Sequence, residues 1–208
     1  MTQNTTLQQG CQTLGLNLSE NQLQQLDAYL QLLDKWNHTY NLTAVRDSQR
    51  MVSHHLLDSL SLVPHLGQIR HLLDVGSGGG MPGIPVAIVR PDIQVVLIDS
   101  NHKKTAFLRQ AALELQLPNL QVITDRVENY QPAQLFDGMV SRAFAELADF
   151  VRLTRPLLAP NGAWLAMKGV HPYEEIDQLS ELAQVVEVIA LQVPGLDAER
   201  HLVKMAPL

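Results

Sequence analysis

A chain of 208 residues with 46% hydrophobic side chains can bury one sizeable core with an appendage, and is too short for two full domains. Its single cysteine, Cys11, excludes an intramolecular disulfide and a cysteine-based metal cluster, reads as a buried or incidental thiol, and fits a reducing cytoplasm. A net charge of −6 excludes a broad basic surface that coats itself in nucleic acid, but leaves room for a local basic site. The polar opening residues lack a signal-peptide pattern, and no apolar run approaches the ~18 residues of a membrane helix, so a soluble, cytoplasmic protein with no membrane partner is expected.

Between residues 19 and 40, Leu23, Leu26, Leu30, Leu33, Trp36 and Tyr40 recur at helical spacing, and Ser19 with Gln22 forms a capping box. A second helix is expected from Asp47-Ser48, turning Met51, Val52, Leu56, Leu60 and Val63 inward and stopping at Pro64. Residues 1–69 therefore form an N-terminal helical extension, and residues 70–208 one compact unit of different texture. Strands at 70–75, 93–99, 120–124, 136–141 and 163–167 alternate with helices at 81–89, 102–115, 146–158 and 173–183. The run Ile93-Gln94-Val95-Val96-Leu97-Ile98 is too apolar for a sheet with one wet face. Two last strands, 185–193 and 200–205, are joined by Pro194-Gly195-Leu196-Asp197 and read as an antiparallel hairpin. Repeated strand–helix units with short links imply an α/β fold: a Rossmann-like, doubly wound, mostly parallel seven-stranded sheet.

The first strand breaks into Asp74-Val75-Gly76-Ser77-Gly78-Gly79-Gly80-Met81-Pro82-Gly83. Glycines let a ligand approach the backbone, and the helix that follows offers unpaired N–H groups, so the loop suits a nucleotide-like cofactor. Met81 stands where a GxGxxG dinucleotide fingerprint from Gly76 needs its last glycine. A bulky side chain there suits a ligand with an amino-acid tail better than a pyrophosphate, and Asp74 can meet an ammonium group. S-adenosylmethionine carries that ammonium and a nicotinamide dinucleotide does not; the dinucleotide remains the alternative. Asp99 ends the next strand, 25 positions after Asp74, where a carboxylate can accept both ribose hydroxyls of an adenosine. Asp125 ends the third strand, and Arg126-Val127-Glu128 follows beside the expected adenine edge. Each aspartate taken alone also reads as a helix cap; their placement at successive strand ends is what points to a cofactor.

Further segments bring a resemblance. They are Lys35-Trp36-Asn37, Tyr40-Asn41-Leu42-Thr43, His55-Leu56-Leu57-Asp58-Ser59, the glycine loop through Pro85, Ser141-Arg142-Ala143-Phe144, Lys168-Gly169 and Glu199-Arg200-His201-Leu202-Val203. Through these, the chain from about Ser19 onward resembles the bacterial 16S ribosomal RNA guanine-N7 methyltransferases, the family of glucose-inhibited division protein B. Met81 stands where that family often has leucine, a small departure between two bulky apolar residues. The resemblance implies a class I methyltransferase fold and S-adenosylmethionine contacts at Gly76, Met81, Val127, Glu128 and Arg142, beside those expected at Asp74, Gly78, Gly80 and Asp99. It also implies a single guanine of small-subunit rRNA as the target.

Guanine N7 offers a lone pair and no proton, so its methylation needs no general base, and positioning is expected to dominate. An Asn/Asp-Pro-Pro-aromatic segment that would hold an exocyclic amine is missing after the fourth strand; Ser141-Arg142-Ala143-Phe144 stands there. Arg142 is expected to act by positioning and electrostatics. Arg126, Arg142 and Lys168 end the third, fourth and fifth strands on one rim, a local basic site within an acidic chain, and Phe144 is placed to stack on a base. Ion pairs for Arg126 and Lys168, and a core contact for Phe144, are the structural alternatives. Asn41 and His55 either line the RNA side or tie the helical block to the sheet. His54 and Asp58 share one helix face without a third ligand, so no metal is expected. The expected partner is 16S rRNA or the small-subunit particle, with no DNA, and the chain acts as a monomer. A methyltransferase of small molecules or proteins, and a non-catalytic cofactor-sensing RNA-binding protein, are the competing readings.

Overall fold

The computed structural model describes residues 3–45, 47–179 and 181–208. It begins with a helix the sequence pattern did not announce, α1 (Gln3–Thr13), whose polar surface hides two anchors, Leu7 and Cys11, both buried. Helix α2 (Glu20–Tyr40) starts at the expected capping box: the Gln22 amide N–H bonds the Ser19 side chain, and the Gln22 side chain accepts from the Ser19 N–H. The second expected helix is not continuous. It is α3 (Ser48–Met51), a π-helical turn Val52–Leu57, and α4 (Asp58–Leu60), after which Pro64 sits inside a 3₁₀ turn, Val63–His65. Proline is tolerated there because a first-turn N–H has no partner to lose.

The α/β unit follows as β1 (His71–Val75), α5 (Gly83–Val89), β2 (Gln94–Asp99), α6 (His102–Glu114), β3 (Leu120–Thr124), β4 (Phe136–Arg142), α7 (Leu147–Thr154), β5 (Leu158–Lys168), α8 (Tyr173–Asp177), β6 (Gln184–Ala190) and β7 (His201–Ala206). The strand order is β3-β2-β1-β4-β5-β7-β6. The first five strands are parallel, and β7 runs antiparallel to both β5 and β6. Several boundaries differ from expectation, most of all around α7 and α8. Helix α7 stops at Thr154 because Pro156 turns the chain into a 3₁₀ turn, so β5 begins at Leu158 and pairs with Phe136 before its register shifts. Helix α8 ends at Asp177, short of residue 183.

Alternation along each strand divides the core into two layers. Leu73, Val75, Val96, Ile98, Met139 and Trp164 pack toward Phe150 and Val151 of α7. Leu72, Leu97, Val140 and Leu165 belong to the opposite layer, which also holds Leu26, Leu33, Leu56 and Leu60 from the N-terminal helices. The helical extension therefore completes one wall of the sheet's own core. No described helix is long and apolar enough to cross a membrane.

Candidate active site

The strand order reverses between β1 and β4, and ligands of open α/β sheets bind outside the carboxyl ends at such a switch point. The glycine loop fills that place. Gly76 has φ 69°, and a Cβ on it would lie 2.5 Å from the Phe144 ring, so both backbone conformation and close approach require glycine. The loop is pinned from three sides. The Gly76 and Ser77 N–H groups donate to Ile98 O, Tyr29 of α2 donates its hydroxyl to Gly79 O at 2.6 Å, and the Gly83 N–H donates to Asp74 Oδ2 at 2.8 Å. Here too glycine is required, since a Cβ on Gly83 would stand 2.7 Å from that same Asp74 oxygen.

Beside the loop opens a cleft of about 510 Å³ whose walls include Gly76, Asp99, Lys104, Val127, Glu128 and Phe144. Four residues expected at a cofactor thus share one cavity. Asp99 accepts from the Gly78 N–H at 3.0 Å and the Asn101 N–H at 2.8 Å. A carboxylate has about four lone-pair positions, so two stay open toward a diol. Lys104, which the sequence reading passed over, stands 3.8 Å from the same carboxylate. Its place in the first turn of α6, five residues after Asp99, was the signal available.

Asp74 is fully buried, with no hydrogen-bond partner for Oδ1 among the described residues. Burial raises its pKa from 3.8 to about 7, against the Gly83 N–H and the Arg142 charge, which both lower it. A buried carboxyl with one orphaned oxygen under the glycine loop fits the ammonium of an amino-acid tail. Together with the open lone pairs of Asp99, it makes the residues present fit S-adenosylmethionine. Gly78 and Gly80, both at positive φ, and Met81 complete the loop above it.

Arg142, at the end of β4, leaves the cleft and turns toward the N-terminal helices. Its Nη1 donates to Asp58 Oδ2 at 2.8 Å and to His54 O at 3.2 Å, and its Nη2 lies 3.2 Å from the Met81 sulfur. Asp58, only 2% exposed, also accepts from Arg200 Nε at 2.9 Å through its other oxygen. Neither Asp58 nor Arg200 was singled out as a site residue. Both stand inside the quoted motif segments, but partners 84 and 142 residues away cannot be assigned from spacing.

The remaining RNA-side expectations separate. His55 is buried, holds the Thr43 hydroxyl at 2.7 Å, and has its pKa pushed down to about 4, by burial first and the Arg142 charge second. It ties the segment after α2 to the π-helical turn, a contact within the helical block and not the expected tie between that block and the sheet. Lys168 likewise is engaged within the protein, donating to Glu175 at 2.7 Å and to Ala145 O at 3.0 Å. Arg126 is exposed, pairs with Glu128 at 3.2 Å, and lines the cleft beside the glycine loop, so it does not form a separate basic rim with Arg142. Phe144 is half-buried against Gly76 at the mouth of that cleft. Asn41 is exposed at the left-handed C-cap of α2. His54 is held by Ser53 and Arg50, and Asp58 by two arginines, so these two do not face a common open position.

A sequence model described as GidB, rRNA small subunit methyltransferase G, matches residues 22–203. The ribosomal RNA small subunit methyltransferase G of Chromobacterium violaceum is 65% identical over 199 residues, covering 96% of this chain and 95% of that protein. The protein of the same name from Laribacter hongkongensis is 59% identical, covering 96% of each. The chain belongs to the rRNA small subunit methyltransferase G family. It is accordingly an RNA-modifying methyltransferase. Among solved structures, the glycopeptide N-methyltransferase MtfA complexed with S-adenosyl-L-homocysteine superimposes with a TM-score of 0.64 at 10% identity, over 74% of this chain and 88% of that one. MtNAS superimposes with a TM-score of 0.60 at 13% identity, over 88% and 73%. At such identities these neighbours speak for the class I methyltransferase fold alone, and that fold is the one the seven strands describe. In this rRNA small subunit methyltransferase G, the cleft lies on one side of the glycine loop, and Arg142 stands on the side nearest the helical block.

Proposed function

We propose that the chain transfers the methyl group of S-adenosylmethionine to N7 of one guanine in 16S rRNA, acting in the cytoplasm as a monomer. The observation that carries this reading is the continuity of the site. Asp99 lines the cleft on one side of the glycine loop, buried Asp74 leaves Oδ1 without a partner beneath that loop, and Met81 at the loop's far end meets the Arg142 fork. When bound, the cofactor supplies an electrophilic methyl group on sulfur. The chain's own residues orient the two reactants: Asp99 toward the ribose hydroxyls, Asp74 Oδ1 toward the ammonium, and Val127 and Glu128 along the adenine. Arg142 is then the group nearest the acceptor, with a planar fork that suits the O6 edge of guanine or a phosphate. Arg126, Phe144 and Asn41 are the outward-facing candidates for the RNA, whereas His55 and Lys168 support them from within.

No proton has to leave N7, and the site accords with that: its one buried histidine is neutral near pH 7 and committed to Thr43. Holding the acceptor in line near contact can supply about 7–11 kcal/mol in favourable cases. The reading is tested with labelled S-adenosylmethionine and small-subunit RNA or particles from a strain lacking this protein. Label at a guanine N7 is expected, and Asp99→Ala should weaken donor binding in calorimetry by about tenfold or more, a loss of two charge-assisted hydrogen bonds. Label on a protein or a small molecule, or undiminished donor affinity, overturns it.

A further inference from the structure

Asp58 and Arg200 belong to neither the glycine loop nor the cofactor cleft, yet Asp58 binds Arg142 directly and Arg200, from the opposite end of the chain, braces Asp58. Asp58 opens α4 directly after the π-helical turn, Arg142 ends β4, and Arg200 lies in the link between β6 and β7. The carboxylate is 2% exposed and spends one oxygen on each guanidinium, at 2.8 and 2.9 Å. Arg200 Nη1 is itself steadied by Glu199 O at 2.7 Å. The arginine so held reaches the Met81 sulfur, and through it the loop that lines the donor side. An ion triad around a buried carboxylate is a poor device for stability, because desolvation of that carboxylate offsets much of the attraction. What it does provide is direction: a fork with one of its nitrogens clamped by a carboxylate and a carbonyl cannot rotate away from its target. The π-helical turn adds to this, since its His54 carbonyl is the second acceptor for Arg142 Nη1.

We propose that Asp58 and Arg200 are positioning residues for methyl transfer, holding the Arg142 guanidinium against the glycine loop at the boundary between methyl donor and RNA acceptor. This rests on the function proposed above for the same site. Without the carboxylate, two like charges face each other with no anion between them, and Arg142 leaves Met81. With Arg200 removed, Asp58 keeps one partner and holds it less rigidly.

The decisive measurement is a double-mutant cycle on the full chain, with turnover on the small subunit and donor affinity by calorimetry. Asp58→Asn keeps the shape and removes the charge; it should lower kcat by about 10- to 100-fold, the scale of a misplaced reacting group. Added to Arg142→Ala, it should lower kcat no further, because its effect passes through the arginine. Arg200→Ala should lower kcat by less than Asp58→Asn, and Arg200→Lys should recover part of that loss. A purely structural role would instead give losses that multiply with Arg142→Ala and track the melting temperature. Multiplying losses, or wild-type turnover of Asp58→Asn, overturn the proposal. If Asp58→Asn does not fold, the Arg200 pair carries the same test in the same background. Absence of transfer by the wild-type chain would instead count against the proposed function, and the cycle would then be read on donor affinity alone.

Discussion

Asp74 shows how one buried carboxyl couples the site to pH. Its pKa is 3.8 in an exposed chain and about 7 in the fold, so between these values the folded state holds more proton than the unfolded one. Stability from this group is therefore complete below the lower value and is lost as pH rises through the upper one. His55 runs the other way. Its pKa falls from 6.5 to about 4, so the unfolded state takes up more proton in that window, and this group's contribution grows as pH rises through it. The two slopes partly cancel. Asp74→Asn should remove the first and uncover the second: its stability to denaturant, followed from about pH 4.5 to 6.5, should climb more steeply than that of the wild type. Parallel curves would mean that the carboxyl is ionised across the whole range.

Among the elements, α2 does more than cover the sheet. Its spacing of leucines and its capping box are local properties and were legible, but its contact with the glycine loop through Tyr29 was not, because Gly79 lies 50 residues further on. Tyr29→Phe keeps the ring and removes the hydroxyl, leaving a buried carbonyl unpaired. A loss of about 1–3 kcal/mol in unfolding free energy is expected, with weaker donor binding in calorimetry and a retained fold. Wild-type affinity in a destabilised variant would separate the helix from the loop's function. Helix α1 escaped the sequence reading for a related reason. Only Leu7 and Cys11 among its described positions mark an apolar side, and a stripe that short does not rise above chance. The π-helical turn escaped too, since its extra residue leaves the apolar pattern of Met51, Val52, Leu56 and Leu60 intact.

At the scale of the whole molecule, the boundary near residue 69 divides textures and not cores. Leu26, Leu33, Leu56 and Leu60 share a layer with Ile84, Leu97, Leu108 and Val140, so residues 70–208 alone would present a large apolar face to water. A chain cut to 70–208 should fail to give a cooperative melting transition and should aggregate. A sharp transition in calorimetry would instead make the helical extension an accessory to an independent sheet. The same fusion brings Asp58 to Arg142, which is why removing the extension should abolish the arginine's anchoring together with the fold.

Features of local origin can be read from the residues alone. Strand and helix alternation follows from periods of two and 3.6 residues, the glycine loop from backbone freedom, and Asp99 from its position at a strand end. Those features recur at short range, and each needs only its neighbours to be read. Which charges are committed to partners within the protein emerged only from the packed chain. Arg142, Lys168 and Arg126 look alike as strand-end cations, yet one is clamped by a buried aspartate, one is paired with Glu175 and one lines the cofactor cleft. Ion pairing depends on distance through space and on burial, and neither is set until residues separated by 84 or 142 positions have been packed together.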